Sequence, residues 1–160
     1  MIAGLITPSG NLAALTPQPV LVSPIAGEAL AVGDLVRFDL GSDNAYSVLA
    51  NITNYDEATC GFNVVAKAAA ANDAGVFAVV VTAAAAGARC TVCVAGVCDA
   101  KVTGTVDKGN TPLINGAGVL VPAAAAGTGV GLGIGLADNS AGPNLVSVFF
   151  QGVKIGSQAN

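Results

Sequence analysis

From Val20 onward the chain is written in short apolar runs, rich in Val, Ile and Leu and broken every few residues by Gly, Pro, Asn or Asp. The runs are Val20–Val22, Asp34–Leu40, Tyr46–Ile52, Val76–Thr82, Cys90–Val94, Val97–Val102, Leu113–Ile114, Gly118–Val121, Val130–Leu136 and Leu145–Gln151. Apolar, β-branched runs of this length between turn residues predict strands, and their succession predicts a mainly β fold: a small β-barrel or β-sandwich of short antiparallel strands. Two segments repeat one device. Val76–Val81 leads through Ala83–Ala86 and Gly87 to Cys90–Val92, and Ile134–Leu136 leads through Asp138 and Gly142 to Leu145–Val148. Both read as β-hairpins with loops of several residues. Only Ala58–Ala71 has helix-forming composition, with Asn72, Asp73 and Gly75 as stop signals, and it predicts one short helix.

Residues 1–19 are written differently, with Pro8, Pro17 and Pro19, no charge, and Ile2, Leu5, Ile6, Leu12 and Leu15 in no clean period. They predict an extended N-terminal arm ahead of a single β domain over residues 20–160. A solvated tail rarely carries so much Leu and Ile, so those five residues are the predicted contacts outside the chain's own fold. No positively charged stretch precedes the apolar residues of the arm, so it does not read as a secretory signal, which points to a cytoplasm as the place of synthesis.

Composition then narrows the picture. A length of 160 residues supports one core. Of these, 53% are hydrophobic but only 4% aromatic, with no Trp and no His, so the core is built from small side chains. Small residues let strands approach closely but bury little area each, and oligomerisation is the expected supplement. The net charge is −4, and the six cations, Arg37, Lys67, Arg89, Lys101, Lys108 and Lys154, stand singly. Phosphate backbones are bound by clustered Lys and Arg, so nucleic acid is excluded as an expected partner. A mean hydropathy of +0.70 raises the question of a membrane. The one uncharged run long enough to span a bilayer, Gly109–Ala137, is broken by Pro112, Asn115, Pro122 and many glycines, so no membrane partner is expected.

Candidate chemistry is sparse. Gly127, Gly129, Gly131, Gly133 and Gly135 alternate with Thr128, Val130, Leu132 and Ile134. The spacing supplies neither a dinucleotide fingerprint nor the Lys of a phosphate loop. A period of two instead predicts a strand with one face of bare backbone, packed closely by another backbone or a neighbouring subunit, and one face carrying Val130, Leu132 and Ile134. Cys90 and Cys93 form a CxxC, but on a strand residues three apart face opposite sides and no second close pair exists, so metal ligation is not expected. If Ala95 and Gly96 form a two-residue turn, Cys93 and Cys98 lie across from each other and a disulfide is conceivable; buried free thiols are the commoner outcome in a reducing compartment. Without His, a Cys or Ser nucleophile lacks its usual base, and Asp34, Asp39, Asp43, Asp99, Asp107 and Asp138 are read as turn-forming residues, Asp34, Asp43 and Asp138 standing directly beside Gly, Asn or Ser. The expectation is a protein without catalytic residues, metal or cofactor.

The order of several segments resembles a known family. Ala29–Val36 reads ALAVGDLV; Gly75–Val80 and an Ala-Gly turn lead into CTVCVAGV at Cys90–Val97; VDKGNTPLINGAGVLVPA follows at Val106–Ala123 and GIGLADNSAGPNLVSVFF at Gly133–Phe150. This succession is similar to the capsid decoration, or cement, proteins of tailed bacteriophages. The arm and the Tyr46–Ala71 stretch depart from that pattern. The resemblance implies a structural protein that joins the outer surface of the expanded head at capsomer junctions and clamps it against internal DNA pressure. It implies the major capsid protein as partner, a homotrimer or dimer, and a place on the virion after assembly in the host cytoplasm. The alternative is another virion structural component: a tail or fibre part, or the subunit of a self-assembling β-layer.

Overall fold

The computed structural model describes residues 18–38, 64–67, 75–123 and 131–154. Among these every regular element is a strand: β1 (Val20–Val22), β2 (Ile25–Ala26), β3 (Leu35–Phe38), β4 (Val64–Lys67), β5 (Gly75–Thr82), β6 (Thr91–Val102), β7 (Pro112–Asn115), β8 (Leu120–Pro122), β9 (Gly133–Gly135), β10 (Asn144–Gln151) and β11 (Val153–Lys154). Five of them close on themselves in the order β6-β8-β7-β9-β10, with β10 returning to β6 along eight residue pairs from Asn144↔Val102 to Gln151↔Ala95. This is the small β-barrel the apolar runs predict. From the first half of β6 an open sheet continues as β5-β3-β4-β2, β1 also pairs with β6, and β11 pairs with β5.

Side-chain alternation feeds two cores. On β5, Phe77 and Val79 enter the barrel core while Ala78 and Val80 enter a second core, and on β3 Leu35 goes to the first while Val36 and Phe38 go to the second. A strand buried on both faces needs an unbroken apolar run, which accounts for the sequence of β5. The barrel core is completed by Ala100, Val102, Val106, Leu113, Leu120, Leu132, Val146, Val148 and Phe150.

β6 links the two regions. Its first residues pair with β5, Val79↔Cys93 and Val80↔Val92, and its last eight pair with β10. The two-residue turn considered for Ala95–Gly96 does not form: β6 is one strand of 12 residues. Gly96, at φ +102°, bends it, and the carbonyl oxygen of Gln18 lies 2.6 Å from where a Cβ would stand. Glycine serves both needs, since it tolerates the positive φ and leaves room for the crossing backbone.

Other expectations change in the same physical terms. The predicted helix over Ala58–Ala71 contains β4, whose Val65 and Lys67 pair with Phe38 and Val36 of β3; the described part of that span is therefore strand. Pairing and burial of Val65 outweigh the helix preference of its alanine-rich flanks. Leu132 and Ile134 do not share a face, because β9 begins only at Gly133: Leu132 is buried in the barrel and Ile134 faces outward. The close approach to the glycine strand comes from within the chain, Gly133 lying against the backbone of Phe149 and Gly135 against the Val106 side chain. Both predicted hairpins form, as β5–β6 and β9–β10. The predicted strand Tyr46–Ile52 lies outside the described residues.

Candidate interaction surface

The outer wall of the barrel is built by β9, β10 and β6. On β10 the alternation that sends Val146, Val148 and Phe150 inward turns Leu145, Ser147 and Phe149 outward. The register then sets rows across the wall. Phe149 stands opposite Ile134 of β9 on one side and Val97 of β6 on the other, and Leu145 stands opposite Lys101. Residues directly opposite lie within side-chain contact distance, so Ile134, Phe149 and Val97 form one apolar row. Ile134 is 42% exposed and Phe149 38%. Between the rows Ser147 donates a 2.6 Å hydrogen bond to Asp99.

Val97 also belongs to a groove of about 280 Å³ lined by Pro19, Leu21, Val32, Val81, Val97, Cys98 and Asp99. Leu21, Val32 and Val81 are each more than a third exposed. The apolar row thus runs into an apolar groove, a continuity that isolated surface hydrophobes lack and that marks interaction sites. Pro19, the last residue of the predicted arm, lies on the groove wall. Ile2, Leu5, Ile6, Leu12 and Leu15, the predicted contact residues, are outside the described residues.

The edge of this surface is held by charge. Asp34, 5% exposed at its side chain, accepts a hydrogen bond from the Ala31 amide at 2.9 Å, pairs with Lys101 Nζ at 2.6 Å and lies 3.5 Å from Lys67 Nζ. Burial alone would raise the Asp34 pKa, but the hydrogen bonds from Lys101 and Ala31 and the charges of both lysines outweigh it and hold the carboxyl below its ordinary value. Lys101 belongs to the barrel and Lys67 to the open sheet, so Asp34 ties the regions together. At the opposite end, Asn139 donates to the carbonyls of Val102 and Gly104, at 3.3 and 2.8 Å, and accepts from Asn144 at 2.8 Å. These are structural contacts, in keeping with the turn role the sequence suggested for Asp34.

Among the described residues no group of three or more His, Cys, Asp or Glu is placed to hold a metal. No helix is long and apolar enough to cross a membrane. Cys90 donates toward the Pro24 carbonyl, and burial raises its pKa. The arrangement can bind an apolar surface. The Phe149–Ile134 row was legible in part, because adjacent Phe149 and Phe150 on a strand must face opposite sides, and one of them outward.

No family model and no curated protein matches the chain. Among solved structures, the N base of the head fiber gp8.5 of bacteriophage phi29 is similar over 88% of this chain and 100% of that one, with a TM-score of 0.55 and 15% sequence identity. At that identity the likeness concerns the fold.

Proposed function

We propose that this chain is a structural, non-enzymatic component of a bacteriophage virion, carried on the outside of the head as an attachment module. The observation that carries this reading is the fold shared, over nearly its whole length, with the base of a phage head fiber. A fiber base and a decoration protein meet the same physical demand, since each must hold a repeating coat surface with a small module. The apolar row and groove, low charge and acidic balance suit that demand, where several modest contacts per oligomer sum to firm attachment. The partners in this reading are the major capsid protein and further copies of the chain itself, a homotrimer or dimer, with residues 1–19 adding contacts. The base of a head appendage accords with the fold likeness more directly than a pure cement does.

Co-sedimentation of the purified protein with expanded heads lacking it tests the proposal. Saturation at a fixed symmetric ratio to coat subunits is expected, weakened at least several-fold by Phe149→Ser combined with Ile134→Ser. Better survival of the loaded heads on heating would add the cement role. Absence of binding, with filaments or sheets formed by the protein alone, would replace the proposal with a self-assembling layer.

A further inference from the structure

β10 pairs with one side of β6 from Ala95 to Val102. The other side is covered piecewise. β1 meets it at Val20↔Ala95, the Gly33 carbonyl accepts from the Lys101 amide at 2.8 Å, and the Leu120 carbonyl accepts from the Thr103 amide at 3.0 Å. Backbone groups on a strand point to alternate sides, so the amide and carbonyl of Val97 and Asp99 point the same way as those of Lys101. The β10 ladder agrees. Ser147, opposite Asp99, turns its carbonyl away from β6 to the Leu136 amide at 2.8 Å, so this pair exchanges no backbone bond. Among the described residues no strand lies against Val97 or Asp99 on that second side, and Asp99 is exposed. The gap coincides with the apolar groove, whose lining joins Pro19, Leu21 and Val32 to Val97, Cys98 and Asp99.

The chain ahead of β1 leads into this gap. Val20 lies opposite Ala95, and Pro19 lies over Gly96, its Cα 2.8 Å from where a Cβ would stand. Carried on antiparallel, the same count sets Gln18 opposite Val97, Pro17 opposite Cys98 and Thr16 opposite Asp99. We infer that residues 15–17 of this chain complete the β6 edge, as a strand that continues β1 through the groove. Three features of the sequence fit this pairing. The bonding positions fall on Gln18 and Thr16, which have backbone amides, and the prolines fall on positions 17 and 19, where the ladder needs no donor. Side chains alternate, so Pro17 and Leu15 share the face on which Pro19 and Leu21 line the groove, and they cover apolar surface there. The segment carries no charge, so no ion loses its water on docking. So placed, the strand closes the stretch of β6 between β1 and Gly33. Of the five apolar arm residues only Leu15 is used in this way, whichever role the protein has on a virion.

Amide hydrogen exchange of the full chain, followed residue by residue by NMR, tests this at the Asp99 amide, which the Thr16 carbonyl holds in this pairing. Exchange at least about 100-fold slower than that of an open amide is expected. Thr16→Pro removes the amide that bonds the Asp99 carbonyl and is expected to return Asp99 to fast exchange while the β10 amides stay protected. Thr16→Ala keeps that amide and is expected to leave the protection in place. Fast exchange at Asp99 in the wild type would overturn the inference. Slow exchange that survives Thr16→Pro would overturn it too, by showing a different occupant. An equimolar mixture of isotope-labelled and unlabelled chains shows whose segment is bound. NOEs between residues 15–17 and Val97–Asp99 are expected within labelled chains only; the same NOEs between chains would replace the inference with strand exchange between copies.

Discussion

The barrel and the open sheet solve the same packing problem in different ways. The barrel core holds Phe150, Leu113, Leu120 and Leu132 from a ring that closes by β10 pairing to β6, joined by Phe77 of β5 and Leu35 of β3, all fully buried. The open sheet buries Ala26, Ala78, Val36, Val65, Val80, Val92 and Cys90 with one Leu and one Phe, Leu30 and Phe38. Its outer strands are short, β2 being two residues paired in parallel with β4. Closure satisfies strand edges in the barrel and encloses a volume that only long side chains fill. The sheet has no such volume, and small side chains pack it at close approach. Of the five Phe residues, Phe77 and Phe150 serve the barrel core, while Phe38 packs in the sheet and Phe149 faces outward.

The largest expected effect tests this division. Phe150→Ala should cost about 3–5 kcal/mol by denaturant unfolding, and Val65→Ala in the sheet only about 2 kcal/mol, because less volume is lost and the open sheet can settle. Equal losses would show that the sheet is as tightly constrained as the barrel. Next comes the tie between them. Asp34→Ala strands Lys101 and Lys67 and leaves the Ala31 amide without its acceptor; about 2–3 kcal/mol is expected, below the usual cost for a buried pair because both lysines reach solvent.

The same carboxylate sets a pH dependence. Its folded pKa lies below the unfolded value near 3.8, so its contribution is complete above that value and is lost as pH falls through the folded pKa. Wild-type stability should therefore drop below about pH 4 more steeply than that of Asp34→Asn; parallel curves would show that Asp34 carries no such linkage.

Within the barrel alone, Asn139→Ala removes the donors to the Val102 and Gly104 carbonyls and should cost about 1–3 kcal/mol. A change below about 0.5 kcal/mol, on the order of an ordinary surface substitution, would mean water replaces the amide fully. The smallest effect has the opposite sign. Ala117, in the β7–β8 turn, has φ +63°, and its amide is held by Asn115 Oδ1 at 2.9 Å. Ala117→Gly relieves that strain at some cost in chain entropy and should stabilise by about 0.5 kcal/mol, read as a small rise in the unfolding midpoint.

Most of the barrel was legible because its signals are local. Val20–Val22 was read with the boundaries it has, the β5 and β10 runs to within a residue at each end, and both long hairpins from turn residues between apolar runs. β4 was missed because four residues of a parallel and antiparallel pairing leave no local trace inside an alanine-rich stretch. The unbroken passage of β6 through Ala95–Gly96 was missed because a glycine that ends a strand and one that bends it look alike in sequence.

By itself the sequence determined that the described chain is β, that its core is made of small apolar side chains with a few large ones, and that Asp34, Asp107 and Asp138 stand beside turns, whereas Asp99, read the same way, lies within β6. Those properties follow from alternation, side-chain volume and turn preference, each of which acts over a few residues. Only the tertiary structure decided which strands close the ring, that Phe149, Ile134 and Val97 meet in one outward row, and that β6 runs unbroken through Gly96. Strand pairing and register depend on residues dozens of positions apart, and one positive φ at Gly96 is enough to reverse which side chains share a face.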